Sequence, residues 1–64
     1  MKWIFKGRTV VSDDGRWRIA HVVRGWDVLD QGRVIATGCQ TAQQGINEVA
    51  NALRLERRRQ EHTA

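Results

Sequence analysis

Proline is absent from this 64-residue chain and cysteine occurs once, at Cys39. A single cysteine excludes an internal disulfide, and a lone thiol suits a reducing compartment, so a cytoplasmic location is expected. The lack of proline, together with 28% charged residues, argues against a linker or a low-complexity segment. Long apolar runs are missing as well. The opening MKWIFKGR carries positive charge but only a three-residue apolar stretch, too short for a signal peptide or a membrane span. Acidic residues are the minority: 7 Asp and Glu stand against 11 Lys and Arg, a net charge of +4. The sequence pI is about 10.7. That excess points to nucleic acid or an acidic protein surface as partner, DNA before RNA, with a merely solvated surface as the alternative.

What remains is enough for one small domain over residues 1–64. A chain of this length buries only about 60% of its unfolded surface. With 41% hydrophobic residues and three tryptophans it still supports a core. Its character changes once, near Gly38. Before that point β-branched and aromatic residues alternate with polar ones between turn signals; after it come Ala, Gln, Asn, Leu, Glu and Arg in helical order. The expected fold is α+β. An antiparallel meander of three to four strands over about 3–37, within a sheet region 2–38, packs on one helix over about 42–60, within 41–62.

The turns set a register. Two-residue loops at Arg24-Gly25 and Gln31-Gly32 place Val23 opposite Trp26, His21 and Ile35 opposite Val28, and Asp30 opposite Arg33. For the first hairpin, a two-residue Asp14-Gly15 turn pairs Val10 with Ile19 and sets Ser12 opposite Trp17. A three-residue Asp13-Asp14-Gly15 loop pairs Val11 with Trp17 and aligns Trp3, Phe5 and Val11 with the core. The second is preferred, with Gly7 as a candidate bulge. One face then collects Trp17, Ile19, Val23, Trp26, Val28 and Ile35. The other collects Arg16, Arg18, Ala20, Val22, Arg24, Asp27, Leu29, Val34 and Ala36, joined by Lys2, Lys6 and Arg8.

The helix opens on TAQQ, with Thr41 as N-cap and Gln44 in the reciprocal position. Ala42, Ile46, Val49 and Leu53 form its apolar stripe, flanked by Gly45 and Ala52. Gly45 costs about 1 kcal/mol relative to alanine, which a close approach to the sheet would explain. A helix over 42–62 is roughly 31 Å long at 1.5 Å per residue, against about 20 Å for a six-residue strand, so its last turns are expected to overhang.

Catalytic groups are few. Cys39 lies where a helix N-terminus lowers a thiol pKa, but the only histidines are His21 and His62, and Asp13-Asp14 reads as turn chemistry. No spacing of Cys, His or acids resembles a metal site. No enzyme activity, cofactor or metal is expected. The sharper feature is the arginine-bearing face. Arg16 and Arg18 alternate along one strand with Arg24 beyond, and a β-ribbon of this kind enters a DNA major groove. The candidate nucleic-acid-binding residues are Lys6, Arg8, Arg16, Arg18, Arg24, Arg33, Arg57 and Arg58. The last two come from the basic helix end RLERRRQEH, which also holds Arg54 and Arg59. Leu55, off the main stripe, would favour a helix-mediated homodimer if exposed.

Gly15-Arg16-Trp17, then Arg33-Val34 leading into Thr41-Ala42 and an alanine-rich helix, resemble the Apetala-type DNA-binding domain and its integrase-like cousins. The likeness runs over residues 15–53. It implies a three-stranded sheet on one helix that binds the major groove through the sheet, with Arg33 as the one contact carried over. Ile35 stands where that family has a tryptophan. Gly32-Arg33-Val34-Ile35 and Gly45-Ile46 to Val49 are also similar to the YegP-like family of small strand-strand-strand-helix proteins. The expected role is a non-catalytic accessory or regulatory DNA-binding protein of phage or mobile-element type. A protein-binding module or inhibitor acting through its basic surface is the rival.

Overall fold

The computed structural model describes residues 1–62, with side chains through residue 60. The chain builds β1 (Trp3–Lys6), β2 (Thr9–Ser12), β3 (Trp17–Val22), β4 (Gly25–Asp30), β5 (Arg33–Cys39) and α1 (Ala42–His62). The strands form one antiparallel sheet in the order β1-β2-β3-β4-β5. The fold is α+β, a meander packed on one C-terminal helix, with five strands rather than three or four. The additional strand is β1, whose hairpin turns tightly at Gly7-Arg8 because Lys6 pairs with Thr9. Gly7 is therefore a turn residue and not a bulge.

Helix α1 packs on β3, β4 and β5. Between them lie Val10, Trp17, Ile19, Val28, Cys39 and Val49, all buried, with Trp3, Trp26, Ala36, Ala42, Ile46, Ala52 and Leu53 packed around them. Each fully buried aliphatic contributes about 1.5–3 kcal/mol as an upper estimate. Gly45 sits at the closest approach of helix and sheet. A Cβ there would lie 2.8 Å from Cγ2 of Ile19, so the glycine is required by packing. At the helix start, Thr41 Oγ1 accepts from Gln44 N, and Gln44 Oε1 accepts from the backbone N–H of Gln40, one residue before the cap.

Three pairings differ from the expected register. In the first hairpin Val10 lies opposite Ile19 and Val11 opposite Arg18, the frame of the two-residue Asp14-Gly15 turn. This frame sets Ser12 beside the buried Trp17. The serine is accommodated because the Ser12 hydroxyl donates to Asp14 Oδ1 at 2.5 Å and accepts from Trp17 N at 2.9 Å. Val11 accordingly belongs to the outer face, and Phe5, on the edge strand beyond the helix, is 68% exposed.

In the second hairpin His21 faces Trp26, Ile19 faces Val28 and Val22 faces Gly25. The loop is Val23-Arg24, both at negative φ, and Gly25 follows at φ 127. Val23 is a fully exposed tip residue, not core. The slip is by two residues, which leaves every paired side chain on its expected face.

In the third hairpin Asp30 faces Arg33 as expected, with Gln31 and Gly32 both at positive φ. Beyond it the ladder shifts, so that Val28 faces Ala36. Ile35 is the extra residue of this bulge, 42% exposed, and Ala36 takes the core position instead.

Candidate nucleic-acid interface

The meander alternates its turns between two ends. Gly7-Arg8, Val23-Arg24 and the entry to α1 share one end; the Asp13–Arg16 loop, Gln31-Gly32 and the far part of α1 share the other. The side of the sheet away from the helix is open. Its rows follow from the pairing: Ile4, Val11, Arg18, Leu29 and Val34 in one, and Lys6, Thr9, Ala20 and Asp27 in the next. Lys6, Arg8 and Arg18 are exposed, and none is in an ion pair among the described residues. Arg24 is 67% exposed by its side chain and donates to Asp27 Oδ2 at 3.2 Å. Asp27 is buried, and its Oδ1 has no hydrogen-bond partner among the described residues.

Arg16 does not join this face. It lies ahead of the first residue of β3, outside the strict alternation of the strand, and two carboxylates stand within its reach. Its Nε donates to Asp30 Oδ1 at 2.9 Å, and its guanidinium donates to Glu56 Oε2 on α1 at 3.1 Å. The same group lies 4.5 Å from the Trp17 ring. Hydrogen bonding first to Asp30 and then to Glu56 raises the Arg16 pKa above its ordinary value. Arg33 pairs with Asp30 at the far end of the sheet, and Arg57 and Arg58 lie on the last turns of α1, towards that same end. The eight basic residues therefore form no single surface. Lys6, Arg8, Arg18 and Arg24 occupy the open face and its adjoining end; Arg33, Arg57 and Arg58 lie at the opposite end; Arg16 is engaged internally.

The other candidates take structural places. Burial first, then Glu48 and Asp27, raises the Cys39 pKa, which opposes activation of the buried thiol by the helix terminus. His21 stacks on Trp26 with ring centroids 4.5 Å apart. The side chain of His62 lies outside the described residues. Among the described residues no group of three His, Cys, Asp or Glu side chains is arranged to hold a metal ion, and no helix is long and apolar enough to cross a membrane. The aromatics Trp3, Phe5, Trp17 and Trp26 all fall on the helix side by register, a placement the alternation had already indicated. The withdrawal of Arg16 had a signal too, since Asp30 and Glu56 are among only 7 acids in the chain. No family model, no curated protein and no solved structure matches the chain.

Proposed function

We propose that this chain is a small non-catalytic nucleic-acid-binding protein, that its ligand is double-stranded DNA, and that it acts as an accessory or regulatory factor of phage or mobile-element type. The observation that carries the reading is the gathering of Lys6, Arg8, Arg18 and Arg24 on the sheet face and end that α1 leaves open. Single strands are disfavoured because base-stacking platforms need aromatics, and the outer face has none. Five strands span roughly 19 Å at 4.8 Å per gap, wider than a major groove of about 12 Å, so the whole face does not enter. The reading therefore takes only the β3–β4 tip, at Val22, Val23 and Arg24, into the groove, with Lys6, Arg8 and Arg18 meeting phosphate.

The test is a gel shift on duplex DNA with Lys6→Ala combined with Arg18→Ala, two exposed residues without an ion pair among the described residues. Loss of the shift with an unchanged circular dichroism spectrum is expected, and the wild-type affinity should fall with salt at a slope near 0.9 per phosphate neutralised. Undiminished binding by the double variant removes the reading. A protein partner is the second reading, favoured by Ile4 at 43% and Val34 at 47% exposure in the same row as Arg18. A pull-down that recovers a protein without nucleic acid would decide for it.

A further inference from the structure

The two edges of the sheet differ in how they are protected. β1 has four residues, with Lys2 before it and Lys6 within it. β5 has seven, and its only charge is Arg33 at the first position. The bulge at Ile35 interrupts the regular alternation of this edge, but its exposed apolar side chains and the lack of a central charge leave it a template for another strand. Val34 and Ile35 are 47% and 42% exposed on it. Beside β5 runs a groove of about 490 Å³ whose walls include Ile35, Ala36, Glu48, Ala52 and Leu55. Leu55 is 58% exposed. Trp17 also lines the groove, and its buried indole N–H finds no acceptor among the described residues.

We infer that β5 is the interface of a homodimer, in which the β5 strands of two copies pair antiparallel about a twofold axis beside Ile35 and Ala36. An antiparallel edge is complementary to itself: rotation about that axis brings its free N–H groups to the free carbonyls of the same strand in the other copy. Charge selects the same occupant. With the axis at Ile35 and Ala36, Arg33 of one copy lies alongside residues 38–39 of the other. Glu48 stands on α1 in the wall of the same groove as Ile35 and Ala36. Each Arg33 thus approaches the Glu48 of its mate, and β5 itself brings no other charge to the pairing. The two Ile35 side chains meet near the axis, with Leu55 closing the groove over them. The sheet becomes continuous across both copies, an arrangement that holds whether or not DNA is the ligand.

Sedimentation equilibrium of the full chain tests the inference. Wild type is expected at twice the monomer mass of 7.4 kDa. Ile35→Lys, at an exposed position, should raise the dimer Kd by about 100-fold or more through an unpaired charge at the axis, with unchanged circular dichroism. Arg33→Glu should weaken the dimer, and adding Glu48→Arg to that variant should restore it. Phe5→Lys, on the opposite edge strand, should leave it intact. A wild type that stays monomeric at its solubility limit overturns the inference. So does a dimer indifferent to Ile35→Lys, or a charge swap that fails to restore assembly.

Discussion

Arg16 and Glu56 lie 40 positions apart in the chain and meet at 3.1 Å, the guanidinium also holding Asp30 at 2.9 Å. One side chain thereby ties the loop before β3, the end of β4 and the distal half of α1. Without it the far part of the helix has fewer anchors, because α1 outruns the strands it packs against. Arg16→Ala is expected to lower Tm by a few degrees and to reduce the dependence of Tm on salt. Its affinity for duplex DNA should remain that of wild type, whereas Arg18→Ala weakens binding. Thermal melts at two ionic strengths, beside the gel shift, separate the clamp from the interface.

The same cluster sets a pH dependence. The hydrogen bond from Arg16 is the main cause that lowers the Asp30 pKa, aided by the charges of Arg16 and Arg33 and opposed by burial. Asp14 is lowered too, chiefly by the Ser12 hydroxyl. A depressed folded-state pKa means the unfolded chain takes up the proton first. The stabilisation is complete above the unfolded carboxyl value of about 3.9 and is lost as pH falls through the folded one. Urea midpoints should therefore hold steady down to about pH 5 and decline below about pH 4. Asp30→Asn should flatten that acid limb.

How far the sequence carries is clearest at the hairpins. The α+β meander and its helix followed from alternation and the Thr41 cap with the Ala42–Leu53 stripe, whereas the fifth strand was missed because Gly7 reads as a bulge and not as the turn that Lys6 opposite Thr9 makes it. Face assignment survived even where pairing slipped, because β3 and β4 moved by two residues. It failed where one residue changed the count. The bulge at Ile35 exchanged Ile35 for Ala36, and nothing in GRVIATG marks it, since the position is decided by how β5 meets β4 and α1. Ser12 misled because polarity is a poor guide where a hydroxyl finds both a donor and an acceptor. Arg16 misled because alternation gives the direction of a Cβ, while a long side chain goes where its carboxylates are.

Gly45 and Gly25 are expected to resist substitution for different reasons. Alanine at an open helical position gains about 1 kcal/mol over glycine. At Gly45 the added methyl meets Cγ2 of Ile19 at 2.8 Å, inside a filled core, and overpacking costs about 1–3 kcal/mol. Gly45→Ala should thus be a net loss of up to about 2 kcal/mol in denaturant unfolding. At Gly25 the methyl meets the Cys39 carbonyl oxygen at 2.6 Å, from a backbone at φ 127. Backbone on both sides cannot rotate away as a side chain does. Gly25→Ala should be the more damaging of the two, and a reversed order of midpoints would contradict this account.

Ser12 gives the most specific prediction for the core. Its hydroxyl serves a buried backbone N–H at Trp17 and a carboxylate at Asp14, at one end of the β2–β3 hairpin. Ser12→Ala removes little volume but leaves the Trp17 N–H without an acceptor, and an unmet buried donor costs about 1–3 kcal/mol. The variant should lose that much in urea unfolding with an unchanged m-value, since no surface is added to the folded state. Asp14→Asn separates the two contributions. It weakens the acceptor of the hydroxyl proton while the bond to Trp17 remains, so its loss should be clearly smaller. Equal losses would place the stabilising interaction in the turn and not in the satisfied backbone of β3.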